Sequence, residues 1–133
     1  MTPVFADTSF YVAVLNPGDV AHARALRIGH SIRQPVLLSD FILLELGNAL
    51  SRGADRSLFS RLVKHLRSHP NVRIIPASRE LLDRGLELFS RRTDKAWSLT
   101  DCTSFVVMRE EGLTDALTTD HHFEQAGFCV LLR

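Results

Sequence analysis

The chain is expected to fold as an α/β sandwich around a largely parallel sheet, and three observations point there. Short apolar runs of strand type alternate with longer stretches of helical period along the whole sequence. Breaks fall where one pattern gives way to the other: Asn16-Pro17-Gly18, Gly53, Pro70-Asn71, Gly112 and Gly127. The 133 residues are 45% hydrophobic and 23% charged. That suits one soluble domain, which at this length buries roughly two-thirds of its unfolded surface.

Each element has a local reason. Residues 3–6 form a first strand, and residues 8–15 a helix stopped by Asn16-Pro17-Gly18. Asp19 is placed to cap a second helix to about Arg33, with Val20, Ala23, Leu26, Ile28 and Ile32 on one stripe. Pro35 opens a strand over 36–38, and Ser39 or Asp40 starts an apolar helix over 41–52. Gly53 breaks it; Leu58, Leu62 and Leu66 mark a fourth helix over 57–68. A turn at Pro70-Asn71 leads to a strand over 72–75. Ser78 caps a helix over 79–91, and Ser98 caps another over 99–111 that ends at Gly112. Residues 115–119 are a strand, 121–126 a short helix closed by Gly127, and 128–132 the last strand. No repeat, low-complexity tract or linker interrupts this order, so residues 1–133 read as a single domain.

Composition narrows the function less. No apolar run approaches the roughly 18 residues of a membrane span, and the N-terminus lacks a basic segment followed by an apolar one. Cys102 and Cys129 stand in apolar surroundings without metal-type spacing and read as reduced core residues of a cytoplasmic protein. The net charge is +1, and all of the 16 basic residues except Lys64 and Lys95 are Arg. Arginine-rich surfaces suit phosphate, but genome composition gives the same bias.

Four acids stand out by position: Asp7, Glu45, Asp101 and Asp120. Asp7 follows the first strand, Glu45 lies a turn into the helix after the second, and Asp120 follows the fourth. Asp101 sits in the first turn of the helix begun by Ser98. Chain direction therefore brings three of them beyond the carboxyl ends of parallel strands, where such sheets hold their ligands, with Asp101 at a helix start near the same rim. Each of the three aspartates also has a structural explanation: Asp7 and Asp120 as helix caps, Asp101 as the third-position acid of a capping box. Glu45 resists that reading. Its helix, Phe41-Ile42-Leu43-Leu44-Glu45-Leu46, is apolar nearly all round, which signals burial, and a buried carboxylate needs a positive partner. A shared hard cation accounts for all four. Mg²⁺ or Mn²⁺ prefers such an oxygen set, acidifies a bound water and neutralises charge on a phosphodiester, whereas Zn²⁺ prefers His or Cys.

The motifs resemble those of PIN domains. Phe5-Ala6-Asp7-Thr8-Ser9 is similar to the first, and Ser39-Asp40 with Leu44-Glu45-Leu46-Gly47-Asn48-Ala49 to the second. Trp97-Ser98-Leu99-Thr100-Asp101-Cys102 is similar to the third, and Leu117-Thr118-Thr119-Asp120-His121-His122-Phe123 to the fourth. Order, spacing and length agree over essentially the whole chain, and the likeness extends to small free-standing members that include VapC toxins of toxin–antitoxin pairs. The resemblance implies a three-layer α/β/α sandwich with a largely parallel five-stranded sheet. It also implies cleavage of RNA that depends on Mg²⁺ or Mn²⁺, with Asp7, Glu45, Asp101 and Asp120 holding the metal and Ser9 and Thr118 supporting them. A small antitoxin and a homodimer complete what it implies, the Leu-rich fourth helix or the Ala-rich second helix offering the apolar face.

Other readings stay open beside it. A PIN nuclease of RNA processing without an antitoxin, or a PIN module that binds without cutting, has the same motifs. A phosphoacceptor domain is disfavoured because Asp7 has no adjacent acid and the last strand ends in Arg133 rather than Lys; a dehalogenase-type phosphatase is disfavoured by Ser9 where its second acid belongs. His65 and His69 read as an exposed helix face and Trp97 and Phe123 as core, while His121-His122 reads as a solvated helix start or a phosphate contact. Arg91, Arg92 and Lys95 read as an RNA guide or a solvated helix end.

Overall fold

A computed structural model describes all residues, 1–133. The chain runs β1 (Val4–Ala6), α1 (Thr8–Leu15), α2 (His22–Ser31), β2 (Val36–Ser39), α3 (Asp40–Ala49), α4 (Ala54–Ser68), β3 (Val72–Ile75), α5 (Arg79–Arg91), α6 (Leu99–Glu110), β4 (Asp115–Leu117), α7 (His121–Gln125) and β5 (Cys129–Val130). All four strand pairings are parallel, in the order β3-β2-β1-β4-β5. The chain thus moves outward from β1 to β3 and then crosses back to β4 and β5. Right-handed crossovers in the two directions put helices on both faces of the sheet, as a three-layer sandwich requires. The point where the direction reverses lies between β1 and β4. Crevices of open α/β sheets form at such a junction, beyond the strand ends.

One apolar core of 26 buried residues holds the layers together, with Phe5, Leu37, Leu38, Ala116 and Leu117 from the sheet and Ile42, Leu46, Phe105 and Met108 from the helices. Phe105 stands edge-on to both Trp97 and Phe123, with ring centroids 5.0 and 4.9 Å apart. Trp97 and Phe123 are core, as expected, and the Trp97 indole N–H donates to Gln125 at 2.9 Å. Helices α5 and α6 approach closely at Gly85 of α5. A methyl group added there would stand 2.6 Å from Thr103 Cγ2 of α6, so only hydrogen lets α6 seat against α5.

Several boundaries differ from the sequence expectation. The second helix starts at His22, because the Asp19 carboxylate accepts the Ala21 N–H in a tight turn instead of capping the helix, and Val20 is fully exposed. The fourth helix starts at Ala54, directly after Gly53, whose φ of 57° turns the chain. The fourth strand stops at Leu117 and the last covers only Cys129–Val130. Cys102 is buried as expected, but Cys129 is exposed on the edge strand. The helix carrying Glu45 is not buried all round. It buries Ile42, Leu43 and Leu46, while Leu44 is 62% exposed and Glu45 is half-buried. Glu45 is therefore not the buried carboxylate that its apolar neighbours predict; burial falls on Asp7 and Asp101 instead.

Candidate active site and metal centre

Asp7 leaves the end of β1, where its N–H donates to Leu117 C=O of β4 at 3.1 Å and so extends the ladder by one bond. It precedes α1 but does not cap it with its side chain. Its Oδ2 instead accepts the hydroxyls of Thr118, at 2.8 Å, and Ser9, at 3.0 Å. Each hydroxyl in turn accepts a main-chain N–H: Thr118 from Asp120 at 3.0 Å, and Ser9 from Thr119 at 3.1 Å. The two expected supporting residues thus tie the start of α1 to the turn after β4.

The other two aspartates also use one oxygen for structure. Asp101 completes a capping box with Ser98: Asp101 Oδ2 accepts the Ser98 N–H at 3.1 Å, and Ser98 Oγ accepts the Asp101 N–H at 3.0 Å. Asp120 Oδ1 caps α7 by accepting the His122 N–H at 2.9 Å. The structural and functional readings of these two residues are not exclusive. One carboxylate oxygen caps, and Asp101 Oδ1, Asp120 Oδ2 and Asp7 Oδ1 keep no hydrogen-bond partner in the protein.

All four predicted acids line one cavity of about 460 Å³ at the β1–β4 junction, together with Thr8, Ser9, Asp19, Ser98 and His122. No Lys or Arg lines it. Asp19, which the sequence offers only as a helix cap, and His122, which it offers as a solvated helix start or a phosphate contact, belong to it as well. Asp19 reads as a helix cap because it follows Gly18, and nothing local shows that the turn places it in the lining of this cavity. His122 has a signal, its place beside Asp120, that equally fits a solvated helix start.

The electrostatics follow from that crowding. The Asp7 carboxyl is pushed up to about 6, by burial first and then by the charge of Asp101, against the lowering effect of the Thr118 and Ser9 hydroxyls. Asp101 is raised as well, first by burial and then by Asp120 and Glu45, while the Ser98 N–H and His122 act the other way. Gathering carboxylates, two of them buried, where no Lys or Arg enters is costly unless a cation joins them. The donor set fits a hard divalent ion: carboxylates from four separate elements, unpartnered oxygens, and a buried Thr8 hydroxyl without a hydrogen-bond partner on the same wall.

The basic cluster ahead of Asp101 is committed elsewhere. Arg92 forks onto Asp94 at 2.9 and 3.1 Å and lies 4.9 Å over the Trp97 ring, and Arg91 reaches Glu87 at 3.5 Å. A second cavity, of about 370 Å³, is an apolar groove between α1, α2 and α4 that includes Val14, Leu26, Ile32 and Leu62. His65 and His69 are exposed along its edge, without a third ligand. No helix is long and apolar enough to cross a membrane.

Comparison with known proteins agrees with this geometry. The 23S rRNA-specific endonuclease VapC20 of Mycobacterium tuberculosis is 32% identical over 125 residues, covering 94% of this chain and 95% of that protein. The crystal structure of M. tuberculosis VapC20, described as a Sarcin-Ricin loop cleaving toxin, superposes with a TM-score of 0.85 at 31% identity over 94% of this chain and 95% of the other. FitAcB from Neisseria gonorrhoeae shares the fold, with a TM-score of 0.69 at 20% identity over 96% and 95% of the two chains. The PIN domain model matches residues 4–128. With the four motifs joined in one cavity and the match running nearly end to end, this chain belongs to the PIN-domain family.

Proposed function

We propose that the protein is a divalent-metal-dependent endoribonuclease and the toxin member of a toxin–antitoxin pair. The observation that carries the reading is the convergence of Asp7, Glu45, Asp101 and Asp120, from four separate segments, on one cavity without a Lys or Arg. Its likeness to an rRNA-specific endonuclease over 94% of the chain supports the same reading and makes a loop of large-subunit rRNA the first substrate to test.

In this reading Asp7 and Asp101 hold the metal most directly, and Glu45 and Asp120 complete the set. Mg²⁺ or Mn²⁺ bound there supplies Lewis-acid chemistry, acidifying water and neutralising charge on the leaving oxygen. Thr118 and Ser9 fix Asp7 Oδ2, leaving its other oxygen for the ion. Ser98 does the same for Asp101 through the capping box. The apolar groove between α1, α2 and α4 suits an amphipathic segment of a small antitoxin, whose Arg or Lys would reach the carboxylates. A homodimer has apolar side chains to draw on at Leu44, Leu86 and Phe89; Leu66 of the fourth helix and Ala25 of the second are already buried in the core.

The test is cleavage of purified ribosomes and 23S rRNA with Mg²⁺ or Mn²⁺. Cuts that carry 3′-hydroxyl and 5′-phosphate ends and vanish with EDTA are expected. Cleavage that persists in EDTA, or that leaves 2′,3′-cyclic ends, overturns the mechanism.

A further inference from the structure

The acid cavity holds no Lys or Arg, and the basic residues just ahead of Asp101 are engaged with Asp94 and Glu87. A polyanion that extends beyond the cavity must find its countercharge elsewhere. One stretch supplies it. Residues 52–67 carry five basic side chains, Arg52, Arg56, Arg61, Lys64 and Arg67, against a single acid, Asp55; the rest of the chain has eleven basic residues against fourteen acids. All five are exposed, and none comes within 4.0 Å of a carboxylate, whereas six of the other eleven do.

The spacing gathers the charges on one face of α4. Ser57, Ser60, Arg61, Lys64, Arg67 and Ser68 recur every three or four residues, and all are exposed. Phe59, Leu62, Val63 and Leu66 take the inner face, where the apolar groove also lies. The outer face exposes no large apolar side chain. A protein interface is built around apolar and aromatic anchors, whereas phosphate oxygens are met by Arg, Lys and Ser, so this face fits a nucleic-acid backbone. The three serine hydroxyls donate to carbonyls of their own helix and can rotate outward. From Arg56 to Arg67 the helix rises roughly 16 Å at 1.5 Å per residue, the length of about five nucleotides at 3.4 Å along one strand. Helix α4 is also tied to the site. Phe59 packs on Gly47 of α3, where a methyl group would stand 3.0 Å from its ring, and Gly47 follows Glu45 by two residues. Arg56 Nη1 donates to the Ser51 C=O at 3.0 Å and braces the connection between the two helices.

We propose that the outer face of α4, with Arg61, Lys64 and Arg67 at its centre, docks the phosphate backbone of the RNA substrate outside the cavity that cuts it. The inference rests on the nuclease reading and names where that substrate is held.

The test measures binding of a labelled single-stranded RNA to the whole protein in EDTA over a series of salt concentrations, then KM and kcat on 23S rRNA with Mn²⁺. Changing Arg61, Lys64 and Arg67 together to Gln should lower the slope of log K against log salt by about two, at roughly 0.7 per phosphate contact on a single strand. It should also raise KM by about tenfold or more while kcat is nearly kept, as loss of uniform binding does. Arg33, Arg79 and Arg109 are exposed and lie off this face. Changing those three to Gln removes the same charge and should barely alter either value at 0.15 M salt, where a Debye length of about 8 Å confines each charge to its surroundings. Equal losses in the two triple variants would mark a net-charge effect and overturn the docking face. So would polyglutamate binding more tightly than the RNA through the same three residues, which would give the face to an acidic protein. A salt slope that depends on α4 in a protein that cuts no RNA would refute the nuclease reading and leave this surface standing. Cleavage with a KM indifferent to α4 would do the reverse.

Discussion

Thr118 donates its hydroxyl proton to Asp7 across 111 positions of the chain, at 2.8 Å, and takes the Asp120 N–H on the same oxygen. One buried hydroxyl therefore sets the positions of two of the four acids. Thr118→Val keeps the shape and removes both bonds. It should cost about 2 kcal/mol, the range for a hydrogen bond to a charged group, and reduce cleavage by up to about a hundredfold, as small misplacements of reacting groups do. Thr118→Ser should restore most of both. Urea titration and initial rates of RNA cleavage read the two effects, and a Val variant with unchanged rates removes Thr118 from the site.

Asp7 sets a pH dependence on the metal-free protein. Its carboxyl is raised to about 6 by burial, above the usual 3.8. Below pH about 4 native and unfolded chains both hold this proton, and its contribution to stability is fully present. As pH rises from about 4 to 6 the unfolded chain ionises freely and the buried site does not, so stability is lost; above about 6 the loss is complete. In EDTA, Asp7→Asn should match wild type at pH 4 and exceed it by about 2–3 kcal/mol at pH 7, from a shift of about two units at 1.36 kcal/mol each. Mg²⁺ should narrow the gap. Parallel urea midpoints for the two proteins at every pH would contradict the raised carboxyl.

Asp101→Asn and Glu45→Gln keep size and shape and drop a charge. Asn retains an oxygen for the Ser98 N–H, so the capping box survives. Both variants should fold at least as well as wild type without metal, because like charges are removed, and lose more than about a hundredfold in activity with their hold on the ion. Either one melting well below wild type in EDTA would make that acid structural.

Gly85→Ala tests how α6 is seated. The new methyl would stand 2.6 Å from Thr103 Cγ2 and 3.4 Å from its backbone, so α6, which carries Asp101, must shift. Overpacking of this kind costs about 1–3 kcal/mol, more than the roughly 1 kcal/mol that Ala gains over Gly in a helix. A lower melting temperature and a lower rate together are expected. A stabilised variant would mean that the α5–α6 contact gives way freely.

The groove makes a prediction about neutralisation. Leu26 lines it from α2 and is 37% exposed. Leu26→Glu should leave RNA cleavage intact and weaken the antitoxin by about thirtyfold, the 2 kcal/mol of an interface anchor. Undiminished binding of the variant would send the antitoxin elsewhere on the surface.

Much of this was legible in the residues because the rules involved are local. Ser39, Ser78 and Ser98 cap helices within a residue or so of where the spacing puts them, and chain direction alone sends Asp7, Glu45 and Asp120 to one rim. What failed was non-local. The apolar run around Glu45 predicts burial, yet Leu44 beside it stays largely exposed, since an apolar sequence does not say which face finds a partner. Asp19 fits a cap in sequence and a turn in space. His122 meets Asp101 only because α6 and α7 converge, a contact spanning 21 positions with no sequence pattern.

The strand order has a consequence for synthesis. β4 fills the place beside β1, and Asp120 follows it near the end of the chain, so the first acid to be translated waits for the last. While Asp120 is still inside the exit tunnel the rim is incomplete, and Asp7 lacks both Thr118 and the strand that supports it. A nuclease built in this order cannot gather its four acids until the turn after β4 has left the ribosome. On the toxin–antitoxin reading proposed above, the same delay gives a partner made alongside time to meet the groove of α1, α2 and α4, whose elements are all made by Ser68, before the cutting site closes.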